Sequence, residues 1–228
     1  SFVTLGAIAL QGVRQASPTL GERFVVMGLG LIGLLTVQLL KANGCRVLGF
    51  DPNGARAELA KSLGADAVES ADLAGAVGGF TAGQGADAVI LTASSKSSEP
   101  INQAAEACRL KGRIVVVGMV GMPIAREPFY KRELELRLSL SSGPGRHDPA
   151  YEIAGHDYPL PHVRWTEQRN MAAFLDLVAD GRVTPARLVT HRFAIADAEA
   201  AYGLMERGEP HLAMLLEYPP RGDAPIER

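Results

Sequence analysis

The feature that most constrains this chain is the uncharged run from Phe24 to Leu40, bounded by Arg23 and Lys41 and interrupted by Gly28, Gly30 and Gly33. It only just reaches the roughly 17 residues that a membrane-spanning helix needs, and glycine weakens a helix interior. Before the glycines, "RFVVMG" is the short β-branched run of a buried parallel strand. After them, "LIGLLTVQLLKANG" is rich in helix-forming leucine, with Lys41 in the last turn and Asn43-Gly44 as a stop signal. Strand, tight turn and helix explain the run better than one span.

The alternation then repeats. "CRVLGFD" (Cys45 to Asp51) reads as a strand and Asn53 to Ala65 as a helix closed by Gly64. A short strand follows at Asp66, and an alanine- and glycine-rich helix or loop runs through Gln84. Ala86 to Ser94 is a third long strand, Glu99 to Gly112 a helix with Pro100 near its first position, and Arg113 to Gly121 another buried strand. Glu135 to Gly143 alternates like an edge strand. Strands separated by helices imply right-handed crossovers and a parallel sheet covered on both faces. The expected fold is α/β, a doubly wound, three-layer α/β/α sheet of Rossmann type with a C-terminal helix and strand extension. Residues 1–143 form the dinucleotide-binding domain in this reading, and 144–228 a loop and C-terminal remnant.

In such a sheet ligands bind beyond the carboxyl ends of the strands. There Gly28, Gly30 and Gly33 give G-x-G-x-x-G. The first permits the tight turn, the second lets backbone approach a pyrophosphate, and the third lets helix and strand pack closely. The N–H groups and dipole of the following helix face the anion. The glycine pattern alone is weak. Asp51, about 20 residues on at the end of the second strand, adds a carboxylate placed to accept hydrogen bonds from an adenosine ribose. That carboxylate repels the extra phosphate of NADP, while Arg56 attracts it, so NAD is favoured and NADP stays open.

Composition removes other classes. The 23 Lys plus Arg are balanced by 25 Asp plus Glu, so there is no excess positive charge for nucleic acid or an anionic membrane surface. Cys45 and Cys108 lie outside any paired spacing, each in an apolar or alanine-rich setting that suits a buried free thiol, and a reducing cytoplasm fits. "SFVTLGAIALQGVRQ" has no basic leader or cleavage site. His147, His156 and His162 fall in a Gly/Pro-rich loop, and His191 and His211 beside short late strands, with no ligand spacing for a metal. No tyrosine has a lysine four residues on, and there is no nucleophile elbow or Walker-type lysine loop. Two alternatives remain: an S-adenosylmethionine-binding methyltransferase, which also uses a glycine turn and an acidic residue, and a non-catalytic nucleotide-binding or assembly module.

The series "TLGAIALQGVR", "LGERFVVMGLGLIGLLTVQLLKANGCRVLGFD", "KSLGADAV", "GADAVILTAS", "LKGRIVVVGM" and "LVTHRFAIADAEAAYGLMERGEP" resembles the medium-chain dehydrogenase/reductase superfamily of zinc alcohol dehydrogenase type, from about Thr4 to Tyr218. The resemblance implies an oxidoreductase that moves a hydride between a nicotinamide cofactor and a small alcohol or carbonyl substrate. By position it implies that Leu29, Leu31 and Ile32 flank the phosphate turn and that Asp51, Pro52 and Arg56 surround the adenine ribose. Thr92, Ala93 and Ser94 would lie near a ribose, Val117, Gly118 and Met119 would border the nicotinamide, and Ser141 to Gly143 would approach its carboxamide. It also implies a homodimer paired through Leu134 to Ser141. Family members begin with a catalytic β-rich domain carrying the zinc ligands, which this chain lacks, so zinc is expected only outside it and turnover by the chain alone is not.

Ser141 to Leu177 is similar to bacterial two-domain oxidoreductases with a glucose-fructose-oxidoreductase-like domain, often associated with polysaccharide biosynthesis. Its Gly/Pro-rich part, Ser142 to Arg164, reads as a substrate-facing lid or a linker. Arg146, Tyr151, Tyr158 and Arg164 are candidate sugar or phosphate contacts there, against structural roles. Thr166 reads as the N-cap of the following helix.

Overall fold

The computed structural model describes residues 1–219. They fall into two compact units, Ser1–Thr184 and a second that begins at Pro185. The first contains, in chain order, α1 (Val3–Ala16), β1 (Arg23–Met27), α2 (Leu31–Ala42), β2 (Arg46–Phe50), α3 (Gly54–Ser62), β3 (Ala67–Glu69), α4 (Leu73–Thr81) and β4 (Ala86–Leu91). It continues with α5 (Glu99–Ala107), β5 (Cys108–Val116), α6 (Arg126–Arg132), β6 (Glu135–Leu138), α7 (Pro149–Glu152) and α8 (Glu167–Ala179). The second unit pairs β7 (Val189–Ala194) with β8 (Ala213–Glu217) in parallel across α9 (Ala198–Glu206).

β1 to β6 form one parallel sheet in the order β3-β2-β1-β4-β5-β6. The chain walks outward from β1 to β3, then crosses back to lay β4 on the other side of β1. The strand order therefore reverses between β1 and β4, which opens a crevice at their carboxyl ends. Phe24, Val25, Val26 and Met27 are all buried, as expected of a strand covered on both faces. Val25 and Met27 pack with Leu48, Val89 and Leu91 against Leu73 and Val77 of α4 and Ile101 and Ala104 of α5. α1 lies against α2 and α8. Burying each Val or Leu of this core contributes roughly 1.5–3 kcal/mol, and that burial, not a membrane, accounts for the apolar run. No helix among the described residues is long and apolar enough to cross a membrane.

Several element ends differ from the sequence reading. The helix from Glu99 stops at Ala107, and β5 begins at Cys108, paired with Ala86 before a register shift. Helical propensity loses there because Arg109 is held by Asp87 at 2.7 Å and Lys111 turns at φ 58°. β4 ends at Leu91, because the N–H groups of Thr92 and Ala93 both turn to the carbonyl of Met27. β6 ends at Leu138, and Ser141 adopts φ 40°, which no strand continues through. His191 lies within β7 rather than beside it. Asn53 caps α3 and Thr166 caps α8, each through its side-chain oxygen. Cys45 and Cys108 are buried and free, and burial pushes their thiols up to about 11 and about 12.

Candidate functional site

A cleft of ≈ 580 Å³ opens at the carboxyl ends of β1, β2 and β4. One wall is Met27, Gly28 and Gly30, a second is Phe50, Asp51, Pro52 and Arg56, and the third runs from Thr92 through Ser95 to Ser97, Glu99, Pro100 and Gln103.

The three glycines have three different reasons to be glycine. Gly28 has φ 95°, and a Cβ on it would stand 2.5 Å from the backbone nitrogen of Ala93. A Cβ on Gly33 would meet the Gly28 carbonyl oxygen at 1.9 Å and Thr92 Oγ1 at 2.8 Å. These two positions close the turn against β4 and α2 against β1. Gly30 is the N-cap of α2, and a Cβ there would meet nothing within 4 Å. The space beside Gly30 is open, so its missing side chain serves the cleft and not the packing.

Asp51 is 6 % exposed at the mouth of β2. Its Oδ2 accepts the Leu29 N–H at 2.7 Å and its Oδ1 accepts the Asn53 N–H at 2.8 Å. One carboxylate therefore ties the glycine turn to the start of α3. An ionised carboxylate offers about four acceptor positions, so two remain for a ligand. Arg56 Nη1 lies 3.9 Å from Oδ2, at the outer limit of an ion pair.

The Thr92 hydroxyl donates to the Gly28 carbonyl at 2.5 Å, so this side chain latches β4 to the glycine turn. Ala93 and Ser94 line the cleft beside it. Val117, Gly118 and Met119 stand outside the lining. Gly118 backs onto Ala93, where a Cβ would meet its carbonyl oxygen at 2.1 Å, and the Met119 carbonyl accepts the Ser95 N–H at 2.7 Å. Leu29 is fully buried, while Leu31 and Ile32 are half-buried in the first turn of α2. Neither they nor Gly33 reach the cleft lining.

Sequence reasoning missed the third wall from Ser95 to Gln103. The only signal was its position after a strand in a doubly wound sheet. It also missed a buried polar network behind the sheet. Arg14 Nε donates to Asn170 Oδ1 at 2.7 Å, and Asn170 Nδ2 donates to the Ser142 carbonyl at 2.8 Å. The Ser142 hydroxyl donates to Glu167 Oε2 at 2.8 Å. Burial, and then the neighbouring charge of Arg164, lowers the Arg14 guanidinium to about 10. Ser141 to Gly143 is thus tied to α1 and α8, and Gly143, at φ 113°, lets Asn170 and Gln11 approach. Tyr151 stacks on Tyr158 at 5.5 Å within the Gly/Pro-rich segment, and Arg169 of α8 donates to Asp157 and to the Tyr158 carbonyl, so the segment packs on itself and is tied to α8.

Among the described residues no three His, Cys, Asp or Glu side chains come together to hold a metal. The two thiols are buried, and neither belongs to a group of three such side chains. The described residues do not fit a zinc centre, and no step is derived through one. A nicotinamide dinucleotide is another matter. An open glycine turn at a helix N-terminus and a carboxylate with spare acceptors fit its pyrophosphate and ribose.

Comparison with known proteins follows the same line. The chain is 27% identical over 215 residues to the 2-dehydro-3-deoxy-L-galactonate 5-dehydrogenase of Pseudoalteromonas atlantica, covering 92% of this chain and 55% of that protein. It is 27% identical over 203 residues to the D-guloside 3-dehydrogenase of Escherichia coli, covering 85% of this chain and 53% of that protein. The chain thus spans about half the length of the curated relatives it matches. The structure is similar in fold to the alcohol dehydrogenase TADH from Thermus sp. ATN1, with a TM-score of 0.76 at 24% identity over 96% of this chain and 57% of that one. Residues 32–152, from α2 through α7, match the zinc-binding dehydrogenase family. With the sheet order, the glycine turn and the family match in agreement, this chain belongs to the zinc-binding dehydrogenases.

Proposed function

We propose that the cleft binds NAD and that the chain is the nucleotide-binding part of an oxidoreductase acting on an alcohol or carbonyl group of a sugar derivative. The observation that carries this is the pair of Gly30, open to solvent at the start of α2, and Asp51, fixed by two backbone N–H groups at the end of β2. When bound, the nicotinamide supplies or accepts the hydride. The protein's residues place it. The N–H groups of the Gly28 to Gly33 turn and the α2 dipole hold the pyrophosphate, and Asp51 accepts the ribose hydroxyls. Thr92 keeps the turn in shape by holding the Gly28 carbonyl. Asp51 favours NAD over NADP, with Arg56 as the only cation among the described residues of the cleft lining. The carbohydrate substrate is supported by the two relatives' names and by the resemblance of Ser141 to Leu177 to oxidoreductases of polysaccharide biosynthesis.

This reading gives the chain the cofactor and leaves the Lewis acid or proton donor to residues beyond it. Steady hydride transfer by the purified 228-residue chain would overturn that part. The reading also includes a homodimer formed along β6, an edge strand whose Leu138 is 65% exposed. Sedimentation as a monomer at high concentration would count against it. Thermal unfolding with NADH, NADPH and S-adenosylmethionine tests the cofactor assignment. Stabilisation by NADH is expected, and a response to S-adenosylmethionine alone would refute it.

A further inference from the structure

We propose that Glu99 and Gln103 read the hydrogen-bonding edge of the base and make the cleft selective for adenine; this rests on the dinucleotide reading above. Both side chains line the cleft that holds Asp51, Pro52 and Arg56. They lie one turn apart on α5, and Gln103 Nε2 donates to Glu99 Oε1 at 3.0 Å. Glu99 is exposed, and because an ionised carboxylate can only accept, this bond turns the amide nitrogen toward Glu99 and its oxygen away. The Glu99 N–H donates to Ser97 Oγ at 3.0 Å, and Pro100 stiffens the first turn, so the pair is held from below.

What the pair presents is an acceptor beside a donor. Glu99 has unused carboxylate lone pairs and forms no ion pair among the described residues, and Gln103 Nε2 keeps a second N–H. The complementary edge is a donor beside an acceptor, which is adenine: its N6 amino group donates to Glu99 and its N1 accepts from Gln103. With the ribose on Asp51, the base lies between Pro52 and α5, where Phe50, Pro52 and Pro100 supply apolar flanks. Hypoxanthine reverses the pattern. Its O6 would face the Glu99 carboxylate and its N1–H would face the Gln103 N–H, so both contacts become repulsive.

The test is a pair of equilibrium titrations of the full chain with NADH and with nicotinamide hypoxanthine dinucleotide, repeated on Glu99→Gln. The original chain is expected to bind NADH about tenfold more tightly than the hypoxanthine analogue, the lower part of the range for a two-bond base contact. Glu99→Gln has two amides that can each turn to donate or accept, so the preference is expected to fall to about twofold or less. The ratio compares two ligands on the same protein, so a change in folding does not imitate it. Equal binding of the two dinucleotides by the original chain, or an undiminished preference in Glu99→Gln, overturns this assignment and leaves the cofactor reading standing. Binding of neither overturns both.

Discussion

Two alanine substitutions one turn apart should separate the packing glycine from the ligand glycine. In Gly33→Ala the new Cβ would lie 1.9 Å from the Gly28 carbonyl oxygen, which Thr92 holds in place, so α2 must move away from the turn by more than about 1 Å. Overpacking against backbone costs about 1–3 kcal/mol or more, and the gain in helix propensity from Gly to Ala offsets about 1 kcal/mol of it. The clash is with backbone, which cannot swing aside, so the upper end of that range applies, and a net loss of about 2 kcal/mol lowers the melting temperature by roughly 4–8 °C in a chain of this size. Gly30→Ala meets no atom within 4 Å. Its only structural penalty is a poorer N-cap, about 0.5–1 kcal/mol. Its Cβ projects into the space assigned to the pyrophosphate, so NADH affinity should fall by at least about tenfold. Urea unfolding followed by circular dichroism, with NADH titration followed by fluorescence, reads both quantities. Full NADH affinity in Gly30→Ala, or full stability in Gly33→Ala, would refute the division of roles.

Asp51→Asn removes the charge that opposes a 2′-phosphate and leaves Arg56 beside it, so the preference for NADH over NADPH should narrow by about tenfold in parallel titrations. Asn170→Ala leaves the buried Ser142 carbonyl and the half-buried Arg14 Nε without this partner, and should cost about 1–3 kcal/mol in urea unfolding. The Cys108 thiol is pushed up to about 12 by burial, so above pH 9 the unfolded chain loses this proton and the folded chain keeps it. Stability should therefore fall as pH rises from about 9 toward 12, by up to about 1.4 kcal/mol per unit for this thiol. Cys108→Ala should flatten that part of the stability profile.

The sheet was legible because its strands are buried on both faces, which writes them as short β-branched runs such as Phe24 to Met27 and Val89 to Leu91. The placement of Gly28, Gly30 and Gly33 was legible because it depends on backbone geometry within one strand, turn and helix, and that of Asp51 because it directly follows the next strand. The start of β5 was not, since Cys108 to Lys111 continues a helical pattern and only the Asp87 to Arg109 pair and the pairing with Ala86 stop it. Nor was the part of the third wall from Ser95 to Gln103, because the serine-rich stretch from Ser95 to Ser98 acquires its meaning from β1 and β2, which come far earlier in the chain. The Arg14 and Asn170 contact joins residues 156 positions apart, which no local pattern encodes.

The central claim is that a nicotinamide dinucleotide occupies the crevice between β1, β2 and β4. Amide chemical-shift mapping of the isotopically labelled chain during titration with NADH tests it most directly. The account predicts saturable shifts at Gly28 to Leu31, Asp51 to Asn53 and Thr92 to Ser94, with shifts at Glu99 and Gln103 where the base lies. Shifts clustered away from these residues, or none at saturating NADH, would contradict it.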